Sequence, residues 1–309
     1  RVRLVDTGGG GGGGGAGGAG GTPVVFVHGF GASLYTWRHV LPPVVAAGYR
    51  VVAFDSRGFG FSGKPAERGA YTNAAYTRLV VALLDSLGIA SAVLVGHSMG
   101  GAIAADVALR HPERVRGLVL VDAAGAGVRW PRLLTLARVP FLGAVATALR
   151  GRWITRRLLR STYADPDKVT EADVDQYYAP VSDPAFGRSL RGVLREFRFD
   201  TLLGQLNDAA IAAPTLVVWG AEDRWIPVRN GSRLAHALPR ALFVVMPGTG
   251  HSPAEEAPEV VNRLLLDFLQ EGLTRIPENV AWSPSSWHSL LFSSPFSHST
   301  PHTPPRSGS

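Results

Sequence analysis

Short apolar runs alternate with amphipathic segments along most of the chain. Continuous runs of branched and aromatic residues are typical of strands that are covered on both faces. The predicted strands are Pro23–Val27, Arg50–Phe54, Ala92–Val95, Gly117–Val121, Thr215–Trp219 and Ala241–Met246. Apolar residues recur at helical spacing in Asn73–Leu87 and in Val260–Leu269. The alternation predicts an α/β fold, in which a mainly parallel sheet carries helices on both faces.

The alternation stops between residues 126 and 212. This stretch predicts helices and loops without a strong strand, and several prolines interrupt it. We interpret an insertion of this length between two sheet strands as a helical lid. The predicted core then consists of residues 1–125 and 213–275.

Two further segments stand outside the alternation. Thr7–Thr22 is a glycine-rich tract between the strand-like runs VRLVD and PVVFV, and we expect an enlarged hairpin loop on the surface. It lacks the Lys-Ser/Thr that follows a phosphate-binding loop. Residues 276–309 are rich in Ser and Pro without any period, which predicts a disordered tail. The histidines of this tail lack metal-site spacing.

The charge is basic, with 31 Lys and Arg against 24 Asp and Glu, for a net charge of +7. Such a balance could indicate a nucleic-acid or membrane partner. Most of the basic residues are Arg, and the chain is also rich in Ala, Gly and Pro, which GC-rich codons would produce. No basic run is interleaved with aromatic residues, so we expect no nucleic-acid partner. The basic stretch Arg150–Arg160 predicts a solvated lid face, with a membrane dock as the alternative.

The chain contains no cysteine, which excludes disulfides and thiol catalysis. No apolar run reaches the length of about 18–20 residues that a transmembrane helix needs. These features favour the cytosol or an organelle stroma, with a cysteine-free secreted protein as the alternative. The chain begins at Arg1 instead of Met, so we expect its natural start to be missing.

A serine stands at a predicted corner between a strand and a helix. Gly96-His97-Ser98-Met99-Gly100 matches the pattern G-x-S-x-G and lies between the strand Ala92–Val95 and a helix-forming run. Such a corner holds the serine in strained backbone geometry, and its small neighbours allow the turn. A serine hydroxyl is a poor nucleophile without a base, a group that orients the base, and donors for the oxyanion. The surroundings of Ser98 therefore predict a nucleophile.

Candidate partners follow two later strands. Asp223 comes just after Thr215–Trp219, and His251 comes just after Ala241–Met246. Because the carboxyl ends of parallel strands meet at one edge of a sheet, both side chains should lie near Ser98. This predicts a Ser-His-Asp triad, with the residues in the chain order Ser, Asp, His. Asp122 ends another strand and is a rival for the acid.

Several stretches in this order resemble the α/β-hydrolase fold family, and in particular its lid-bearing serine hydrolases. They are VVFVHGFGAS, VVAFDSRGFGFSGKP, LVGHSMGG, GLVLVDAAG, VVWGAEDRWIP and PGTGHSPAEEAPEVVNRLLLDFL. The resemblance implies that Ser98 is the nucleophile, Asp223 the acid and His251 the base. It also implies that the backbone amides of Phe30 and Met99 form the oxyanion hole.

Other residues near the motifs have weaker signals. We expect His97 to be a packing residue. Trp225, Trp130 and Phe141 are candidates for the substrate pocket, and Trp225 stands two positions from the predicted acid.

The predicted function is hydrolysis of an ester-like bond through an acyl-enzyme. The expected partner is a small-molecule ester or acyl substrate, with no cofactor and no metal. Carbon–carbon bond hydrolases, thioesterases and cofactor-free peroxidases use the same triad, so the fold does not decide the substrate. A ligand-binding receptor that keeps a slow hydrolase site is the alternative from another class. Neither the acyl chain nor the oligomeric state follows from the sequence.

Overall fold

A seven-stranded sheet forms the centre of the computed structural model, which describes residues 1–8, 22–129, 151–208 and 210–273. The strands are β1 (Leu4–Asp6), β2 (Val24–Val27), β3 (Val51–Phe54), β4 (Ala92–His97), β5 (Val115–Val121), β6 (Thr215–Gly220) and β7 (Ala241–Met246). Their order in the sheet is β1-β3-β2-β4-β5-β6-β7. All neighbouring pairs are parallel except β1 and β3, which are antiparallel. The mainly parallel sheet is therefore confirmed.

Helices cover both faces of this sheet. They are α1 (Leu41–Ala46), α2 (Asn73–Ser86), α3 (Met99–Arg110), α4 (Arg152–Thr162), α5 (Glu171–Val181), α6 (Phe186–Glu196), α7 (Leu202–Asp208), α8 (Val228–Ala237), α9 (Pro253–Glu256) and α10 (Pro258–Asp267). Short 3₁₀ turns lie at Leu34–Trp37, Pro112–Arg114 and Pro166–Lys168, and a π-helical turn lies at Phe268–Gly272. None of the helices in the described ranges is both long and apolar enough to cross a membrane.

The strands alternate their side chains between two hydrophobic cores. Val25 and Val27 of β2 pack with α2 and α3 on one face, whereas Val24 and Phe26 pack with α1 and α10 on the other. All four residues are completely buried. A strand with both faces buried needs apolar residues at every position, which explains the continuous runs in the sequence.

The segment between β5 and β6 is helical in its described part. Helices α4 to α7 lie there, and no strand occurs in residues 122–129, 151–208 or 210–214. Leu159 and Tyr163 form a small separate core with Val169 and Val174. This agrees with the predicted helices and loops, while the interpretation as a lid remains a proposal.

The glycine-rich tract does not close a hairpin, so that prediction is wrong. Strand β1 pairs with β3, with Leu4 opposite Phe54, and not with β2. Both edges of β2 are already occupied, by β3 on one side and β4 on the other. The free edge of β3 is the place left for β1. Residues 9–21 of the tract and the predicted tail of residues 276–309 lie outside the described residues.

Candidate active site

Ser98 occupies the sharp corner between β4 and α3. Its backbone has φ +53° and ψ −118°, and residues other than glycine rarely adopt a positive φ. Backbone atoms approach positions 96 and 100 so closely that only glycine fits there. A Cβ atom added at Gly96 would overlap the carbonyl oxygen of Gly100, and one added at Gly100 would overlap that of Val27. The strained corner that the sequence predicts is present.

The structure brings the three predicted triad residues into one hydrogen-bonded chain. His251 Nε2 lies 3.0 Å from Ser98 Oγ, and His251 Nδ1 lies 2.7 Å from Asp223 Oδ2. Both the imidazole and the carboxylate are almost completely removed from solvent. The other carboxylate oxygen of Asp223 accepts from the backbone amides of Trp225 and Ile226, at 2.8 and 2.9 Å.

These contacts determine which nitrogen of His251 carries a proton. Burial would raise the pKa of Asp223, but the attraction and hydrogen bond of His251, together with the Ile226 amide, lower it below its ordinary value. The ionised Asp223 needs a donor, so Nδ1 of His251 carries the proton. The lone pair of Nε2 then faces the Ser98 hydroxyl. Such an arrangement can accept the proton of a serine that attacks a carbonyl carbon.

His97 contacts the same imidazole from the other side. Its Nε2 lies 2.7 Å from the backbone oxygen of His251, and the two ring centroids are 5.0 Å apart. Burial and the nearby His251 charge lower the pKa of His97 to about 3, so the ring is neutral. Because only an N–H can bond to a carbonyl oxygen, Nε2 is the protonated nitrogen. The sequence predicted a packing residue and missed this hydrogen bond.

The loop that carries the predicted oxyanion donor lies against Ser98. His28 Nδ1 donates to the Gly29 carbonyl at 2.8 Å, while its Nε2 accepts from the Ser56 amide at 2.8 Å. A Cβ atom at Gly29 would lie 3.1 Å from Ser98 Cβ, so the loop touches the nucleophile corner. Phe30 follows this glycine, and Met99 is the first residue of α3. Both predicted donors therefore belong to segments that contact the serine.

A pocket opens above Ser98 and encloses about 540 Å³, with solvent at its mouth included. Its described lining consists of Phe30, Ala32, Thr36, His97, Ser98, Val128, Leu159, Thr162, Tyr177, Phe199, Trp225, His251, Ser252 and Glu255. Trp225 stacks on His251 with ring centroids 5.8 Å apart and planes 6° apart, so its predicted place in the pocket is found. Trp130 and Phe141, the other two predicted pocket residues, lie outside the described residues.

A buried polar cluster forms one wall of the pocket. Glu255 accepts from the Tyr177 hydroxyl at 2.6 Å and forms an ion pair with Arg38. Arg38 also contacts Asp173 of α5 at 2.8 Å. Burial raises the pKa of Glu255. The cluster joins helix α5 to the sheet domain, and no motif in the sequence indicated it.

The loop of His251 is also joined to the end of α4. The amide of His251 donates to the Thr162 carbonyl at 2.6 Å, and Ser252 Oγ donates to Thr162 Oγ1 at 3.0 Å. The side chain of Ser161 lies 3.2 Å from Trp225 Nε1. The end of α4 therefore contacts the His251 backbone directly.

Comparison with known proteins identifies the family of this chain. The family profile described as alpha/beta hydrolase fold matches residues 22–258. A 2-hydroxymuconate semialdehyde hydrolase of Pseudomonas sp. (strain CF600) is 34% identical over 277 residues, which cover 88% of this chain and 91% of the relative. The uncharacterized hydrolase YugF of Bacillus subtilis is 31% identical over 252 residues, with coverage of 80% and 89%.

Solved structures show the same architecture. A meta-cleavage product hydrolase from Pseudomonas fluorescens IP01 superposes with a TM-score of 0.71 at 27% identity, covering 87% of this chain and 94% of that structure. A thermophilic esterase from Thermogutta terrifontis gives 0.70 at 25% identity, with coverage of 88% and 94%. The chain belongs to the α/β-hydrolase family.

Proposed function

We propose that this α/β hydrolase cleaves the carboxylic ester bond of a small substrate through an acyl-enzyme. Ser98 is the nucleophile, His251 the base and Asp223 the acid. The observation that carries the proposal is the continuous chain Ser98 Oγ–His251 Nε2 and His251 Nδ1–Asp223 Oδ2, with spacings of 3.0 and 2.7 Å, at the floor of a pocket. Spacings of this size permit direct proton transfer.

The reaction proceeds in two halves. Nε2 of His251 takes the Ser98 proton as Oγ bonds to the substrate carbonyl carbon, and the oxyanion is held by the amides of Phe30 and Met99. The imidazolium then gives this proton to the departing alcohol, which leaves an ester on Ser98. A water molecule repeats the sequence and releases the acid. Asp223 remains ionised throughout and holds the imidazole in position.

Helices α4 and α5 supply part of the pocket wall, and we assign the inserted segment of residues 126–212 as the lid. Leu159 of α4 and Tyr177 of α5 line the space above Ser98. Such a cover excludes water from the reacting carbonyl and limits the length of the acyl chain. The lid determines substrate choice, while the triad residues all come from outside it.

The pocket lining favours an uncharged substrate. Among the described lining residues there is no lysine or arginine, and the nearby Arg38 is already engaged by Glu255 and Asp173. A substrate carboxylate buried there would have no cationic partner, which is unfavourable in a dry pocket. A neutral ester with an apolar acyl chain has no such penalty. Thioesters share this neutrality, so thioester cleavage belongs to the same proposal.

Carbon–carbon bond hydrolysis is the second candidate, because several relatives carry that activity in their names. A 2-hydroxy-6-oxo-6-phenylhexa-2,4-dienoate hydrolase of Burkholderia cepacia, for example, is 32% identical over 260 residues. Its named substrate is a dienoate and so bears a carboxylate. The two candidates therefore differ in the charge that the pocket must accept.

A substrate comparison distinguishes them. Initial rates are measured with p-nitrophenyl esters of increasing acyl length and with a 2-hydroxy-6-oxo-dienoate, using Ser98→Ala as the control. We expect turnover of the esters, with kcat/KM exceeding that for the dienoate. Turnover of the dienoate alone would establish the carbon–carbon hydrolase. Tight binding of a ligand with negligible turnover of every substrate would instead indicate a receptor, and turnover that requires peroxide would indicate a peroxidase.

A further inference from the structure

Asp122 is a second buried carboxyl group behind the proposed triad. It directly follows β5, and its backbone adopts φ +43°, in the left-handed region. Its amide donates to the Val218 carbonyl at 3.0 Å, and its Oδ1 accepts from the Gly220 amide at 2.9 Å. The residue has no exposed surface. A strained and completely buried aspartate is costly to fold.

Three titratable groups meet at this place. One side-chain atom each of Asp122, Asp223 and His251 lies within 4.8 Å of the other two. Asp223 uses both oxygens, one for two backbone amides and the other for His251. Asp122 uses only Oδ1, and its buried Oδ2 makes no hydrogen bond of normal geometry to any residue in the described ranges. The carboxyl groups of Asp122 and Asp223 are neighbours.

The charges around the pair cannot neutralise two carboxylates. In the described part of the chain, no lysine or arginine forms an ion pair with Asp122 or Asp223. The charge of Glu256 also disfavours ionisation of Asp122, and His251 is already hydrogen-bonded to Asp223. Burial, followed by the charge of Asp223, raises the pKa of Asp122 well above its ordinary range. Two carboxyl groups at such a distance in a dry interior hold one proton between them.

We propose that Asp122 is a neutral carboxylic acid whose proton forms a hydrogen bond to Asp223, and that it positions the Asp223 carboxylate on His251. The proton satisfies Oδ2, which has no other hydrogen-bond partner among the described residues. It adds a donor to Asp223 without adding a charge beside the imidazole. Asp122 is thus a positioning residue that acts through Asp223, and this role rests on the proposed function of the His251–Asp223 pair.

The geometry separates this role from two others. As the triad acid, Asp122 would have to face Nδ1 of His251, but that nitrogen is 2.7 Å from Asp223 Oδ2. A cation held by the three side chains would need the lone pair of Nδ1. The same nitrogen would then be unable to donate to Asp223, and the relay to Ser98 would be lost.

The first test compares Asp122→Asn with Asp122→Ala in the whole protein. An asparagine amide accepts from Gly220 and donates to Asp223 as the neutral acid does, so kcat/KM should be retained. The alanine variant removes the donor and should lower kcat by about tenfold or more, the value of one hydrogen bond to a charged group, with little change in KM. Equal activity of the two variants, or equal loss in both while they remain folded, would overturn the proposal.

The pH dependence of kcat/KM distinguishes a neutral Asp122 from an ionised one. If Asp122 is neutral, Asp122→Asn removes no charge, and the acidic limb of the profile stays in place. If Asp122 is ionised, the substitution removes a negative charge beside His251⁺ and moves this limb to lower pH by about one unit or more. Such a movement would contradict the proposal.

The pH dependence of folding stability tests whether Asp122 is protonated, and this measurement needs no substrate. The raised pKa of Asp122 means that the folded protein binds more protons than the unfolded chain above pH 3.8, the ordinary value for Asp. The wild type should therefore lose stability relative to Asp122→Asn as the pH rises from about 4 to about 7. A difference in Tm that is constant with pH would show that Asp122 is ionised. Activity that is lost with a chelator and restored by a divalent cation would also overturn the proposal.

The stability measurement keeps this inference separate from the proposed function. If no ester is cleaved, the proposed function fails. The shared proton between Asp122 and Asp223 is still decided by the Tm series alone.

Discussion

The ring of His97 donates a hydrogen bond to the backbone carbonyl of His251, with 2.7 Å between Nε2 and the oxygen. The residue before the proposed nucleophile thus holds the backbone of the proposed base. Because the nucleophile corner is rigid, this bond transmits its position to the imidazole. The triad geometry then depends on a contact that spans 154 positions of the chain.

Replacement of His97 by leucine should lower kcat by about tenfold with little effect on KM, since one buried carbonyl loses its donor. Glutamine is the matched control, because its amide nitrogen reaches about as far as Nε2 and can donate to the same oxygen. Steady-state kinetics on a p-nitrophenyl ester measure both variants. If glutamine is as damaging as leucine in folded protein, the hydrogen bond is not the source of the effect.

His97 should also make the protein less stable in acid. Burial lowers its pKa from 6.5 to about 3, so across this window the unfolded chain binds more protons than the folded protein. Stability is therefore lost as the pH falls, with a slope of up to about 1.4 kcal/mol per pH unit from this one residue. Thermal unfolding of the wild type and His97→Gln at several pH values checks this. The wild type should lose more Tm than the variant between about pH 7 and about pH 5.

Removal of the triad groups should abolish ester cleavage. Ser98→Ala and His251→Ala should each lower kcat/KM by about 10⁴-fold or more, because the acyl-enzyme cannot form without nucleophile or base. Asp223→Asn should cause a loss of similar order, since the imidazole then adopts the wrong tautomer. A fluorophosphonate probe with peptide mass spectrometry should locate one adduct, on Ser98. Normal turnover by Ser98→Ala would refute the serine mechanism.

The glycines of the nucleophile corner should tolerate no side chain. Gly100→Ala places a methyl group on the Val27 carbonyl oxygen and should lower Tm by about 5 °C or more. Gly204 of α7 is the matched control, since it is exposed and nothing lies within 4 Å of an added Cβ. Gly204→Ala should leave Tm unchanged or raise it by about 2–4 °C, because alanine favours the helix. A Tm equal to wild type in Gly100→Ala would show that this corner is not so closely packed.

The acyl-chain preference should respond to the wall that α4 provides. Leu159→Ala removes a buried side chain that lines the pocket, so the preferred p-nitrophenyl ester should become longer. Its neighbour Leu158 is only half-buried and does not line the pocket, which makes Leu158→Ala the control. The ratio of kcat/KM for long and short esters measures the change. The same ratio in both variants would indicate that the acyl chain binds elsewhere.

The sheet and the proximity of Ser98, Asp223 and His251 could be predicted from sequence, because both have strong local signals. Buried parallel strands require continuous apolar runs, and the candidate site residues follow shortly after those strands, as Asp223 follows β6. The partner of β1 was predicted wrongly because an edge strand of three residues contains too little pattern to specify its neighbour. Pairing at an edge depends on which edges remain open, which is a property of the whole sheet.

The polar contacts around the site could not be predicted from the sequence, for a different reason. Arg38 and Glu255 are 217 positions apart, and nothing near either residue distinguishes it from an ordinary surface charge. The same holds for the carbonyl of Thr162, since every residue has one. Burial gives these groups their importance, and burial of a polar residue is decided by tertiary packing.

The hydrogen bond from the amide of His251 to the carbonyl of Thr162 limits how the inserted helices can move when substrate enters the pocket. If the cover over Ser98 lifted as one body, it would pull the imidazole away from the serine. The end of α4 must therefore keep its position when substrate enters, if the imidazole is to stay within reach of Ser98. The proposed lid and the proposed base are thus joined at Thr162, so a substitution that displaces this end of α4 should also displace the imidazole.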